Sequence, residues 1–226
     1  MKTLKILMLL TSHAQLGASG KPTGFWLEEL ATPYYVFSDA GADVTLASPR
    51  GGAAPADPRS TQDASAEVKR FTSDAAAQKK LANTVALSTI DVAQYDAVFV
   101  VGGHGTMWDL STKDVGAKLS AGWNAGKVLA AVCHGPAALV EVKDKDGKPV
   151  VAGRRVAAFT NDEEKAGGVE KDMPFLLESK LTALGAKHEK APLWQPFTVT
   201  DGRLVTGQNP ASSRATAEAT LQALKR

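Results

Sequence analysis

A chain of 226 residues, 44% apolar and 22% charged, has the composition of an ordinary globular protein with a sizeable core. A formal charge of +2, with only the short basic pairs Lys79-Lys80 and Arg154-Arg155, argues against a nucleic-acid surface. One cysteine excludes an intrachain disulfide framework and fits a reducing, cytoplasmic setting, and no apolar run reaches membrane-spanning length.

The first ten residues, with two lysines and then Ile6-Leu7-Met8-Leu9-Leu10, imitate a short signal peptide, and Leu16–Ser19 imitates a cleavage site. The preferred reading is a first parallel strand over residues 5–10, apolar on both faces. Residues 13–23 read as a loop. Residues 24–40 read as a helix that Pro33 kinks or breaks, closed by Gly41. Residues 43–47 form the second strand. Residues 48–65 carry Pro49, Gly51, Gly52, Pro55 and Pro58 and read as a long irregular excursion of the functional or interfacial kind.

Residues 66–82 have helical character. Residues 96–101 read as a buried strand that runs into Gly102-Gly103-His104-Gly105. A helix over 114–124 and a strand over 127–132 lead to Cys133. Strands are expected at Val150-Val151 and over 155–159. Asp172 reads as the N-cap of a helix over 174–184, with Pro174 in its first turn. Residues 197–200 and 203–206 flank Asp201-Gly202, a hairpin signal. A last helix is expected from about 211 to 224. This alternation predicts one α/β domain over residues 1–226, with a mostly parallel sheet sandwiched by helices. Sites in such sheets form outside the carboxyl ends of strands. Ser12-His13, Gly102–Gly105 and Cys133-His134 all fall there.

The string Val128 to Pro136 carries the strongest chemical signal. An apolar strand ends at Cys133, and His134-Gly135-Pro136 turns into the small-residue segment Ala137–Val140, which reads as a helix. A thiol at such an elbow sits beside unpaired N–H groups at a positive helix end, a setting that favours thiolate. The geometry is that of a nucleophile elbow with Cys in place of Ser. The competing reading is a small buried apolar residue.

Gly102–Gly105 lacks the Lys-Ser/Thr of a phosphate loop and the spacing of a dinucleotide fingerprint. It reads better as part of an oxyanion hole, with an N–H near Gly103 and the N–H of His134 as donors. Glu28 and Glu29 lie in an apolar setting where a raised pKa suits proton transfer. Their different helix faces leave open which one serves the site. His13, His104 and His188 form no ligand pair, so no metal is expected. Asp162, Glu163 and Glu164 offer an acid that could orient His134, against the commoner reading of an acidic first helix turn.

Five motifs together resemble the ThiJ/PfpI superfamily, of class I glutamine amidotransferase-like fold. They are Thr23-Gly24 with Glu29 and Pro33, Ala47-Ser48-Pro49-x-Gly51-Gly52, Gly102–Gly105, Ala131–Pro136, and Val205–Pro210. The match covers essentially the whole chain, and the nearest branch is that of the small chaperone/glyoxalase III proteins. The resemblance implies a flavodoxin-like α/β fold, a small reactive aldehyde as substrate, no cofactor and a homodimer. It implies Cys133 as nucleophile with His134 beside it, Glu29 rather than Glu28 as the acid, and Gly103 and His134 as oxyanion donors. Larger relatives add an acid that orients the histidine, and Asp162 lies roughly where it belongs. The implied activity is conversion of methylglyoxal or glyoxal to a hydroxy acid without glutathione. Amide or peptide hydrolysis is the second reading. Its glutaminase form is weakened because His188-Glu189-Lys190 lacks the required His-x-Glu. A stress holdase or redox sensor is the third.

Overall fold

The computed structural model describes residues 3–62 and 64–225. Its centre is a seven-stranded sheet in the order Thr198–Asp201, Leu204–Gly207, Val128–Val132, Ala97–Val100, Lys5–Leu9, Asp43–Ser48 and Val85–Ala86. All neighbours are parallel except the first pair, an antiparallel edge hairpin. Its loop is Gly202-Arg203, with Gly202 at φ 60°, the left-handed geometry that a tight hairpin needs.

The apolar runs alternate in the way a doubly covered sheet demands. Leu7, Leu9, Val98, Val100, Leu129 and Ala131 pack on one face with Val115, Leu119 and Trp123 of the helix Lys113–Asn124. Ile6, Met8, Phe99, Val101, Ala130 and Val132 pack on the other with the helices Leu27–Asp39, Ala66–Ser73 and Ser213–Ala223. Burial on both faces explains why these strands read as continuous apolar runs. The strand Lys5–Leu9 is paired on both sides near the middle of the sheet. Met1 and Lys2 lie outside the described residues.

Several expectations change. The helix Leu27–Asp39 continues through Pro33. Residues 13–23 contain a short hairpin, Gln15–Leu16 with Lys21–Pro22. Residues 66–82 form two helices, because the Asp74 side chain accepts from the N–H groups of Ala76 and Ala77 and starts a second one. Val150 and Val151 fill the core from a turn, not from a strand. Only Arg155–Val156 forms a strand, paired with Lys187–His188, while the Phe159 N–H bonds to Cys133 O at 2.9 Å. The helix expected from Asp172 begins later, as Leu177–Ala183, and Asp172 ends a short 3₁₀ turn. Residues after the elbow form only the 3₁₀ turn Gly135–Leu139, too short for a strong dipole.

Candidate active site

Cys133 and the Gly102–Gly105 turn follow neighbouring parallel strands, Val128–Val132 and Ala97–Val100. Adjacent strand ends bring the two motifs together across the sheet's carboxyl edge. Cys133 has φ 61°, one of two described non-glycine residues with positive φ. For an L-residue that conformation costs free energy, and such positions cluster at functional sites. The elbow is fastened on both sides of the peptide. Cys133 N–H donates to Gly207 O at 2.9 Å, and Cys133 O accepts from Phe159. His134 O accepts from the Thr106 hydroxyl at 3.0 Å.

The glycines before it are required by space. A Cβ on Gly102 would fall on the Glu29 carboxylate and within 2.9 Å of the Cys133 Cβ. Gly103 has φ 104°, and a Cβ there would meet the Trp26 nitrogen at 2.5 Å and the Phe25 carbonyl carbon at 2.6 Å. Backbone from residues 24–26 therefore lies directly over the turn. Trp26 N–H reaches Gly102 O at 3.0 Å, and Phe25 N–H reaches Pro55 O at 2.9 Å. Through those contacts the excursion over residues 48–65 is laid against the site, where it delivers Asp57 and Arg59.

Cys133 Sγ lies 3.3 Å from His134 Nδ1. His134 Nε2 lies 2.7 Å from one oxygen of Glu164, and the other oxygen lies 2.9 Å from His104 Nε2. A carboxylate only accepts, so both rings carry their hydrogen on Nε2. That tautomer leaves His134 Nδ1 with a lone pair toward the thiol. His104 Nδ1 faces Arg59 Nη2 at 3.1 Å, and Asp57 holds the Arg59 guanidinium through both of its oxygens. The Thr23 hydroxyl donates to Asp57 at 2.9 Å.

Electrostatics follow from burial. Burial opposes ionisation of Glu164, but attraction to the positive form of His134 and the hydrogen bonds from both rings outweigh it and hold its carboxyl far below the usual range. Burial, reinforced by His134, lowers His104 to about 4, so it is neutral at physiological pH. Glu29 is completely buried, with neither carboxyl oxygen in a well-formed hydrogen bond. Burial pushes its pKa well up, opposed by the nearby Cys133 thiol and the Gly102 backbone. Burial therefore favours the protonated form of Glu29.

The thiol departs from the expectation of a ready thiolate. Burial pushes Cys133 upward, the negative form of Glu29 adds to the rise, and the His134 N–H opposes it. The arrangement therefore favours a thiol activated by His134 over a free-standing thiolate.

Of the residues read from the sequence, Cys133, His134 and Gly103 line one cavity of about 210 Å³, together with His104, and Glu29 lies behind them against Gly102 and Cys133. Glu28 points elsewhere and accepts from the hydroxyls of Thr32 and Ser65. Asp162 does not reach His134. It is exposed and pairs with Lys190 at 3.0 Å. Glu164 holds the place expected for it. His13 stacks on Trp108, and His188 lies 3.7 Å from Glu178.

The missed residue carried a usable signal. Thr160 and Glu163 form a capping box at the start of the helix Asn161–Ala166. Glu164 then stands four residues after buried Thr160, on the inward helix face, while Asp162 faces outward. No comparable signal announced Asp57, Arg59, Phe159 or Trp194. The sequence reading expected no metal, yet His104, His134 and Glu164 bring ligand atoms within 4.8 Å of one another. In the structure each of the two rings is hydrogen-bonded to its own oxygen of Glu164. Among the described residues, no helix is long and apolar enough to cross a membrane.

Comparison with known proteins gives a consistent result. The model of the DJ-1/PfpI family matches residues 22–223. The chain is 35% identical to Glyoxalase 3 of Candida albicans, covering 98% of this chain and 99% of that protein. It is 33% identical to the glutathione-independent glyoxalase HSP31 of Saccharomyces cerevisiae, covering 98% of each. The crystal structure of glyoxalase III from Candida albicans superposes with a TM-score of 0.89 at 32% identity, over 97% of both chains. The Rapid Encystment Protein 24 KDa of Francisella tularensis superposes with a TM-score of 0.94 at 36% identity, over 98% of this chain and 99% of that one.

Proposed function

The chain belongs to the DJ-1/PfpI family, and from that premise we propose that it is a glutathione-independent glyoxalase that converts methylglyoxal or glyoxal to the corresponding 2-hydroxy acid. One observation carries the reading beyond family likeness: a thiol lies between a histidine held by a buried carboxylate and a second, completely buried carboxyl group whose pKa burial raises. Aldehyde isomerisation needs a nucleophile and a proton shuttle at one carbon pair.

His134 Nδ1 takes the Cys133 proton as sulfur attacks the aldehyde carbon. The C=O π bond breaks, and the oxygen takes a proton from Glu29 or from protonated His134 to give a hemithioacetal. N–H groups of Gly103 and His134 support the negative charge as it develops. The group that gave up that proton, Glu29 as carboxylate or His134 as neutral imidazole, is then the base that removes the remaining hydrogen from that carbon. The electron pair moves through an enediol, and the proton returns at the neighbouring carbon. The product is a thioester of the 2-hydroxy acid, and water cleaves its C–S bond to restore the thiol. One carbon is oxidised and its neighbour reduced, so the sequence balances with water as the only added reactant. Glu164 orients His134 and steadies its positive charge.

The small cavity suits a small aldehyde. A free thiol suits a reducing compartment such as the cytoplasm. The homodimer implied by the resemblance belongs to the proposal and is tested by light scattering in solution. The central experiment is hydroxy-acid formation from methylglyoxal without glutathione, in wild type and Cys133→Ser. Turnover lost in the variant supports the reading. Equal turnover in both, or none in a fully reduced wild type, overturns it.

A further inference from the structure

Trp194 is the other described non-glycine residue with positive φ, at 63°. A bulky side chain in that region persists only where its surroundings over-determine it. The residue is also 47% exposed, unlike the rest of the large aromatic residues near the site. Core packing does not account for it.

The determinant is Glu163, a completely buried carboxylate for which the proposed chemistry has no use. One oxygen accepts from the Trp194 N–H at 3.0 Å, from Gln208 Nε2 at 3.0 Å and from Asn209 Nδ2 at 2.9 Å. The other accepts from the N–H and hydroxyl of Thr160, each at 3.0 Å. Asn209 Nδ2 also donates to Gln195 O at 2.8 Å. The loop is thus tied at Trp194 and at the next residue. Its indole forms part of the cavity wall, with its ring 5.7 Å from that of Phe159, which in turn lies 4.3 Å from the His134 ring. A residue held this firmly, half in water and half in the wall, narrows the approach to the thiol.

We propose that Trp194 sets the largest group that an aldehyde can carry into the cavity, and that Glu163 is a positioning residue acting through it. The inference rests on the reading of Cys133 as the reacting thiol. In a rigid wall, removing the indole opens room beside Phe159 for an aryl group, while a methyl group fits already.

Cys133 is the sole cysteine, so its alkylation reads access independently of turnover. Iodoacetamide and N-phenylmaleimide serve as small and bulky probes, applied to wild type, Trp194→Ala and Trp194→Gly. Glycine accepts the left-handed backbone and guards against a loop that rearranges. The bulky-to-small rate ratio is expected to rise at least tenfold in both variants. The kcat/KM ratio of phenylglyoxal to methylglyoxal is expected to rise with it. Glu163→Gln replaces an acceptor with a donor among five donors, so it should shift both ratios in the same direction. Combined with Trp194→Ala it should add nothing further. Unchanged alkylation ratios in the Trp194 variants overturn the gate. An unmoved ratio in Glu163→Gln, or an additive one in the double variant, overturns the positioning role. A shifted alkylation ratio in a protein that makes no hydroxy acid supports the gate and overturns the glyoxalase reading alone.

Discussion

The Glu164 carboxylate lies 2.7 Å from His134 Nε2, on the ring edge opposite the nitrogen that faces the Cys133 thiol. One bond thereby fixes the tautomer, the ring plane and the direction in which the thiol proton leaves. Removing it frees His134 to carry its hydrogen on the wrong nitrogen. Glu164→Gln is expected to lower kcat/KM by roughly 10² to 10⁴. Asp162→Asn, which loses only an exposed pair with Lys190, should stay within about twofold. Steady-state rates of both variants check this, and equal losses would remove Glu164 from the relay.

The two adjacent glutamates have separate duties. Glu29→Gln keeps the shape of the acid but cannot exchange a proton, so turnover should fall by roughly 10² or more. Glu28→Gln disturbs hydroxyl contacts to Thr32 and Ser65 outside the cavity and should change kcat little. Comparable losses in both variants would contradict the assignment of the shuttle.

Glu29 also leaves a signature in stability. Its folded pKa is raised, so above the ordinary value of 4.5 the unfolded chain releases a proton that the folded protein keeps. Its contribution to stability is therefore present below 4.5 and is lost as pH rises toward the folded value. His104, lowered from 6.5 to about 4, has the opposite slope between those values, because there the unfolded chain binds the extra proton. Wild type sums the two, whereas the difference between Glu29→Gln and wild type isolates the first. Urea unfolding from pH 4.5 to 8 should show the variant gaining relative stability with rising pH, by up to about 1.4 kcal/mol per unit. A pH-independent difference would mean that Glu29 titrates normally.

Gly103 has no room to change. At φ 104°, with backbone atoms of Phe25 and Trp26 within 2.6 Å of any Cβ, Gly103→Ala combines backbone strain with a collision against main chain. A loss of about 3 kcal/mol or more is expected, with loss of turnover in whatever folds. Chemical denaturation measures it. An unchanged midpoint would show that the turn adapts freely.

Sequence by itself determined the sheet and its reacting edge. The apolar runs ending at Leu10, Val101 and Val132 could be satisfied only by strands covered on both faces, and their carboxyl ends put Gly103 and Cys133 side by side. Local chemistry also marked Cys133 as an elbow, because a strand followed by His-Gly-Pro must turn. Tertiary structure decided what no local pattern encodes: which acid reaches His134, where Glu29 is buried, and what walls the cavity. Asp162 and Glu164 are chemically alike and two residues apart, so only the rotation of a short helix, set by its Thr160 and Glu163 cap, sends one to water and the other to the ring. Thiol reactivity was likewise settled by burial and by the charge state of a residue more than a hundred positions away, since electrostatic free energy depends on distance and desolvation in space, not on separation along the chain.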